Sequence, residues 1–371
     1  MQPFSQLKVL DFTTLLPGPF ATMYLADWGA DILRVEAPDR EDLTRAMPPF
    51  AHGVSTAHAF LNRSKKSITL DLKEESARQT IKDLIQDYDV VVEQFRPGVM
   101  ARFGLDYKAL SAINPRLIYC SLTGYGQTGP YANRAGHDIN YAALSGLAAM
   151  TGSRAGGPVI HGDPVCDLAG SFHTLIGLLT ALYHRERTGE GQAVDISMTD
   201  SSLMLSGMWL SMGLGGGQFP SWEGTALNGG SFYGYYKTSD GKYLSVGSLE
   251  PKFLRGFLEA IEALDLLQGD LTRPDFMMRM RIQIQERIQR KTLEAWLETF
   301  SKLDVCVEPV LTLDQVVRHP QFQARQMFVD VPAGKGASQK QLASPLKFSS
   351  FQPIYRFIGA AKGADNSLLK E

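Results

Sequence analysis

The chain has 371 residues, of which 44% are hydrophobic and 20% charged, a composition typical of a globular protein. Its formal net charge of −2 at pH 7 gives no argument for a nucleic-acid partner or a membrane surface. Three widely spaced cysteines, Cys120, Cys166 and Cys306, make neither a disulfide framework nor a metal cluster, which favours a reducing, cytoplasmic setting.

The start of the chain predicts a strand rather than a targeting segment. Leu7–Phe12 contains four apolar residues, one of them the β-branched Val9, with no basic region or long apolar core before it. Since no apolar run approaches about 20 residues, we expect no membrane span. The length suggests two domains, or one large domain with an insertion.

Short apolar strands alternate with helical patterns through the first half of the chain. The predicted strands are Leu7–Phe12, Asp31–Val35, Ser67–Leu72, Asp89–Val92, Arg116–Leu122 and Ala193–Met198. The predicted helices are Phe20–Asp27, Glu74–Asp87, Asp167–Arg187 and Asp200–Met212. This alternation indicates an α/β fold with a parallel sheet covered on both faces, and ligands of such sheets bind beyond the carboxyl ends of the strands.

The second half changes character after the glycine-rich segment 213–218. Two short strand patterns, Ser231–Thr238 and Lys242–Gly247, flank Ser239-Asp240-Gly241 and predict a hairpin. Helical patterns at Pro251–Leu264 and Leu293–Leu303 follow. We therefore expect a large domain over 1–200, a linker helix and glycine-rich loop over 201–224, a small α+β domain over 225–310, and a return to the large domain over 311–371.

Three motifs have more than one interpretation. Gly124–Gly129 matches G-x-G-x-x-G, but Pro130 follows it where a dinucleotide-binding helix must begin, so a loop is favoured. Met204, Met208 and Met212 recur every four residues; core packing is favoured over an adaptable apolar wall for an acyl chain. His161 and Asp163 lack a third ligand at usable spacing, and we expect no metal site.

The most informative stretch is Gly136-His137-Asp138-Ile139-Asn140-Tyr141, followed about thirty residues later by Asp167 at the start of a long helix. A histidine and a carboxylate facing one carbon can act as paired acid and base. Glu250 follows an apolar strand and is a further carboxylate that could orient the imidazole.

These residues resemble the family III CoA-transferases, and within them the α-methylacyl-CoA racemase branch. The likeness covers nearly the whole chain. It is carried, in order, by Leu16–Pro19, Leu70–Lys73, Phe95–Val99, Thr123–Pro130, Gly136–Tyr141, Thr188–Gln192 and Ser248–Pro251.

The resemblance implies a Rossmann-like large domain built from both chain ends, a small domain, and an interlocked, ring-like homodimer. It implies His137 and Asp167 as the two catalytic bases, assisted by Asp138 and Glu250. The implied reaction is racemisation of 2-methyl-branched acyl-CoA thioesters through an enolate, whose oxygen would accept from the N–H groups at the start of the Asp167 helix. The alternative is CoA transfer between carboxylic acids through an anhydride on Asp167.

The resemblance implies no prosthetic group, because CoA enters as part of the substrate. An arginine that grips CoA in racemases is Ala37 here, and Arg40 could replace it. Racemases also carry several glycines after the helix-opening aspartate, where this chain has Leu168 and Ala169. The expected CoA contacts are Arg40, Leu70, Asp71, Leu72, Lys73, Gln94, Arg96, Arg102, Gly136 and Tyr141.

Overall fold

The computed structural model describes residues 1–369. In chain order its strands are β1 (Lys8–Asp11), β2 (Asp31–Glu36), β3 (Phe50–Ala51), β4 (Val54–Ser55), β5 (Lys65–Thr69), β6 (Val90–Glu93), β7 (Ile118–Thr123), β8 (Gly152–Ser153), β9 (Gly157–Pro158), β10 (Gln192–Ser197), β11 (Gly234–Lys237), β12 (Tyr243–Val246), β13 (Val307–Pro309), β14 (Phe328–Gly334) and β15 (Ala337–Leu342). The helices are α1 (Pro17–Asp27), α2 (Thr56–Leu61), α3 (Glu75–Leu84), α4 (Val99–Arg102), α5 (Tyr107–Ser111), α6 (Asp138–Leu144), α7 (Leu147–Met150), α8 (Val165–Thr188), α9 (Met198–Leu205), α10 (Gly207–Leu214), α11 (Pro251–Ala260), α12 (Pro274–Ile288), α13 (Leu293–Phe300), α14 (Leu313–Arg318) and α15 (Pro320–Ala324). Short 3₁₀ helices occupy Leu43–Ala46, Leu264–Gln268 and Asn366–Leu369.

The chain forms two compact units. The first contains residues 1–145, residues 161–205 and the described residues from Pro320 onward. The second contains residues 146–160 and 206–319. Each unit has its own apolar core, so each is described by itself.

The first unit is built on a six-stranded sheet in the order β10-β7-β6-β1-β2-β5, with every pair parallel. Successive residues of β6 point to opposite faces. Val90 and Val92 join a core with α1 and α8, and Val91 joins a second core on the other face with Ile81 of α3. Strands buried on both faces explain the continuous apolar runs in the sequence. The predicted α/β class and parallel sheet are confirmed.

Helix α8 is the longest helix of the first unit. It ends where Gly189 adopts a φ of +82°, a conformation that glycine accepts without strain. Contrary to the sequence-based expectation, α8 is long and apolar enough by length and composition alone to cross a membrane. The core helix of a soluble protein passes the same test. Here Leu175, Leu178 and Leu182 of α8 are buried in the core beside the sheet.

The second unit contains an antiparallel sheet in the order β11-β12-β13, and the predicted hairpin is its first pair. Helices α11, α12 and α13 contribute to its core. Helix α12 was missed from the sequence, because polar residues separate the apolar ones. It buries Met280, Ile284 and Ile288, which are spaced one helical turn apart.

The helix predicted over Asp200–Met212 is interrupted. Helix α9 ends at Leu205 and α10 begins at Gly207. The break coincides with Ser206-Gly207, two residues that favour helix interiors less than the leucine and methionine around them. A continuous methionine-rich pattern therefore concealed a boundary between two helices.

Candidate active site

His137 lies on a loop that leads into α6. Its backbone N–H donates to Oδ1 of Asn140 at 3.0 Å, which caps the start of α6. The hydroxyl of Tyr141, a buried residue of the same helix, donates to the carbonyl oxygen of Gly136 at 2.7 Å. These bonds hold the backbone on both sides of His137, and His137 itself is exposed. Gly136 and Tyr141 thus build the loop that presents the imidazole.

Asp138, the next residue, caps a different helix. Its Oδ1 accepts the backbone N–H of Cys166 at 2.7 Å and that of Asp167 at 3.0 Å. Both groups belong to the first turn of α8. The cap ties the histidine loop to the start of α8, so residues almost thirty positions apart become neighbours.

This cap corrects one sequence-based expectation. The N–H groups at the start of α8 were expected to stabilise an enolate oxygen. Those of Cys166 and Asp167 already donate to Asp138, and that of Leu168 donates to the carbonyl of Pro164 at 3.0 Å. The helix dipole still acts at this place, but these three donors are occupied.

Asp167 has an environment suited to both proton donation and proton acceptance. Burial raises the pKa of its carboxyl, the nearby Asp138 carboxylate raises it further, and His137 lowers it, with a resulting pKa of about 6. An ordinary aspartate has a pKa of 3.8. A carboxyl that titrates near pH 6 is populated in both forms near neutrality.

His137 and Asp167 line one cavity of about 320 Å³. The carboxyl end of β7, at Thr123, forms part of its wall together with Met198 at the start of α9. The predicted pair is therefore brought together at the carboxyl edge of the parallel sheet, where ligands of such sheets bind.

A second cavity of the first unit, about 610 Å³, collects most of the residues expected to contact CoA. It is lined by Arg40, Leu70, Asp71, Leu72, Lys73, Gln94 and Arg96, among others. Asp71 accepts the backbone N–H of Lys73 at 3.0 Å, and Arg78 donates to the carbonyl oxygens of Leu72 and Lys73 at 3.0 and 2.6 Å. These bonds shape the loop after β5, so its backbone forms a fixed wall.

Arg102 does not line this second cavity. It lies at the end of α4 and lines a shallower depression with Arg96 and Asn133. Arg96 borders all three hollows of the first unit described here. Of the three predicted arginines, Arg96 is thus the one that lines both the histidine–aspartate cavity and the larger cavity.

Glu250 belongs to the second unit, where it directly precedes α11 and is exposed. Its expected role in orienting the imidazole stays a prediction. The favoured interpretation of the three methionines was wrong, because Met204, Met208 and Met212 are 68%, 60% and 54% exposed rather than packed in a core.

Several lining residues were not predicted as part of the site. Leu15, Pro17, Phe95 and Arg134 also line the histidine–aspartate cavity. Leu15 could be recognised as unusual only from the structure. Its backbone φ of +61° is uncommon for leucine, and its N–H donates to the Asp42 carboxylate. No helix follows the loop Gly124–Gly129 directly, which confirms the loop interpretation. The Gln127 N–H of this loop donates to the Asp195 carboxylate at 3.0 Å, a contact that was not predicted.

Comparison with solved structures supports the architecture. A CaiB/BaiF family protein from Brucella suis superimposes with a TM-score of 0.87 at 29% identity, covering 99% of this chain and 98% of that one. The shared fold thus includes both units rather than the parallel sheet alone.

Comparison with known sequences identifies the family. The model of CoA-transferase family III matches residues 4–366. The chain is 34% identical to human α-methylacyl-CoA racemase over 91% of this chain and 84% of the relative. It is 32% identical to acetyl-CoA:oxalate CoA-transferase of Acetobacter aceti over 97% and 92%. This chain therefore belongs to CoA-transferase family III and is an enzyme acting on acyl-CoA thioesters.

Proposed function

We propose that this enzyme racemises 2-methyl-branched acyl-CoA thioesters by two-base proton transfer between His137 and Asp167. The observation that carries the proposal is that the imidazole and the carboxyl line the same cavity. His137 removes the α-proton from one face of the thioester, and protonated Asp167 delivers a proton to the other face. For the opposite enantiomer the two roles are exchanged.

The protonation behaviour of Asp167 supports this assignment. A two-base reaction needs one group that holds a proton while the other is free to accept one. A carboxyl with a pKa of about 6 can serve in either state near neutral pH, whereas an ordinary aspartate is almost wholly ionised.

We place the CoA moiety along the larger cavity, with Leu70–Lys73 as a backbone wall and Arg40, Gln94 and Arg96 as polar contacts. Arg96 borders both cavities, so its guanidinium can reach the phosphates of a CoA whose thioester enters the histidine–aspartate cavity. Arginine suits this task because its forked charge binds phosphate in bidentate fashion. Arg102 would contact the same moiety from the neighbouring depression.

A second candidate is CoA transfer between carboxylic acids. It is favoured by the similarity to acetyl-CoA:oxalate and succinate–glutarate CoA-transferases, at 32% and 33% identity. In that reaction the ionised Asp167 attacks the thioester carbonyl and expels the CoA thiolate, which leaves an acyl-aspartyl anhydride. The CoA thiolate then attacks the Asp167 carbonyl of this anhydride, which releases the donor acid and leaves an aspartyl-CoA thioester. The carboxylate of the acceptor acid displaces CoA from that thioester to form a second anhydride. The thiolate finally attacks the acceptor's carbonyl, which gives the acceptor acyl-CoA and frees the Asp167 carboxylate. His137 would have no direct role.

We also propose that the enzyme is a homodimer whose two chains interlock, and that Glu250 assists His137 within that assembly. The exposed face of α8 supports a partner, because Phe172, Ile176 and Tyr183 are 46%, 57% and 67% exposed on an otherwise apolar helix. Light scattering at micromolar concentration should give twice the mass of the chain. A monomer would contradict the proposal.

Deuterium uptake separates the two reactions. A 2-methylacyl-CoA incubated with the enzyme in D₂O, without any free acid, should gain deuterium at C2. His137→Ala should suppress exchange from one enantiomer more than from the other, and Asp167→Asn should show the opposite bias. His52→Asn and Asp163→Asn are matched controls, since both residues are exposed and line neither cavity.

Transfer predicts a different outcome in the same tubes. Hydroxylamine would trap the acyl-aspartyl anhydride as a hydroxamate on Asp167, and C2 would gain no deuterium. That pair of results would overturn the racemase proposal and establish the second candidate.

A further inference from the structure

A buried carboxyl group at the end of β6 has no part in the chemistry proposed above. The strand is apolar through Val90, Val91 and Val92 and then ends on Glu93, a residue only 4% exposed. Glu93 pairs in register with Ser121 of β7, which pairs in turn with Asp195 of β10. Burial raises the pKa of the Glu93 carboxyl to about 7.

The contacts of Glu93 are unusual for a buried carboxyl. Its Oε2 accepts the backbone N–H of Phe95 at 2.8 Å, and the side chain of Ser121 gives a second hydrogen bond. The nearby charge is another carboxylate, that of Asp195. Within residues 1–369, no ion pair to Glu93 compensates its burial. Burying a carboxyl group without a neighbouring cation lowers the free energy of unfolding, and a neutral residue at the end of the strand would lower it less.

The group that Glu93 holds is the turn formed by Gln94, Phe95 and Arg96. These three residues line both the histidine–aspartate cavity and the larger cavity. Gln94 also accepts the backbone N–H of Gly18 at 3.3 Å, which joins the turn to the first turn of α1. The conformation of this one turn therefore sets the shared wall of the two cavities.

We propose that Glu93 is a positioning residue, which fixes the turn 94–96 so that Arg96 faces the path of the CoA moiety between the two cavities. The inference rests on the proposed placement of CoA. Glu93 touches no substrate. It acts through the Phe95 N–H, because a hydrogen bond to a carboxyl in a buried site restrains the turn more strongly than one to water.

The test compares three substitutions in the full-length enzyme. Glu93→Leu removes the acceptor at nearly constant volume, and Glu93→Gln retains an oxygen that can accept from Phe95. Val90→Ala destabilises the same strand from its other face, whose core does not include the turn 94–96. The dissociation constant of CoA is measured by calorimetry, with KM and kcat from the deuterium-exchange assay. Thermal unfolding provides the stability of each variant.

Glu93→Leu should weaken CoA binding about tenfold and raise KM similarly, with kcat changed less than about threefold. Glu93→Gln should stay within about twofold of the wild type. Val90→Ala should unfold at lower temperature with unchanged CoA affinity. Equal CoA affinity in the Leu and Gln variants, or equal weakening in all three, would overturn the positioning role.

Two further variants keep the result decisive. If Glu93→Leu does not fold, Ser121→Ala is used instead, because it removes the other hydrogen bond to the Glu93 carboxyl. This variant should raise KM about two- to threefold. An unchanged KM would overturn the proposal. Arg96→Ala tests the placement of CoA separately. If Arg96→Ala binds CoA as the wild type does, the placement fails, whereas weakening by Arg96→Ala but not by Glu93→Leu refutes only the role of Glu93.

Discussion

The link between Asp138 and Asp167 gives a prediction that holds for either reaction. Asp138 has two effects on its neighbour: its Oδ1 caps the first turn of α8, and its charge raises the pKa of the Asp167 carboxyl. Asp138→Asn keeps an oxygen that can accept the two N–H groups and removes the charge. Asp138→Ala removes both the charge and the cap.

The size of the effect follows from the order of the causes. The pKa of Asp167 lies about 2 pH units above 3.8, and burial contributes more to that rise than Asp138 does. Removing the Asp138 charge should therefore lower the pKa by about 0.5 to 1 pH unit. Asp167 must be ionised in CoA transfer, where it is the nucleophile, and in racemisation of the enantiomer from which it removes the proton. With these substrates activity falls as pH drops through the pKa of Asp167. The limb near pH 6 should move toward pH 5 in Asp138→Asn.

The assay is kcat/KM from pH 4.5 to 9, which reports groups of the free enzyme. Asp138→Ala should show a similar displacement and, in addition, lose about 1 kcal/mol of unfolding free energy together with the helix cap. An acidic limb that stays in place in Asp138→Asn would refute the assignment of that limb to Asp167. Equal unfolding free energies for the two variants would refute the capping role.

Three other predictions concern named contacts. Gly191→Ala should lower the free energy of unfolding by about 2 kcal/mol or more, since the added Cβ would lie 2.0 Å from the carbonyl oxygen of Leu117. Urea unfolding measures this free energy, and a value equal to that of the wild type would contradict the prediction. Tyr141→Phe removes the donor to the Gly136 carbonyl and should lower kcat roughly three- to tenfold with little change in KM; steady-state kinetics decides. The folded state binds a proton on Glu93 more tightly than the unfolded chain, so this residue costs stability as pH rises from about 4.5 to about 7. Glu93→Gln should remove that loss, up to about 3 kcal/mol between pH 4.5 and pH 8, and an unchanged pH dependence of unfolding would argue against it.

The sequence by itself determined the six strands of the parallel sheet, the helices α1, α3 and α8 beside it, and the type of the sheet. Apolar runs such as Val90–Val92 predict strands buried on both faces, and the alternation with helices requires parallel pairing. The sequence also indicated His137 and Asp167 as candidate site residues. His137 lies in the short motif Gly136–Tyr141, and Asp167 lies at the start of a long helix. These features are local, and short-range patterns are enough to find them.

Only the tertiary structure decided how these pieces meet. The bonds from Asp138 to the start of α8 bring His137 and Asp167 to one cavity, and the same bonds occupy two of the N–H groups that had been assigned to an oxyanion. The spacing of residues in the sequence does not reveal that Met204 is exposed or that Glu93 is buried. An apolar helix face and the last residue of a strand have the same sequence pattern whether or not another part of the fold covers them. Burial and neighbouring charges come from segments distant in the chain, and they set the pKa of the Asp167 carboxyl.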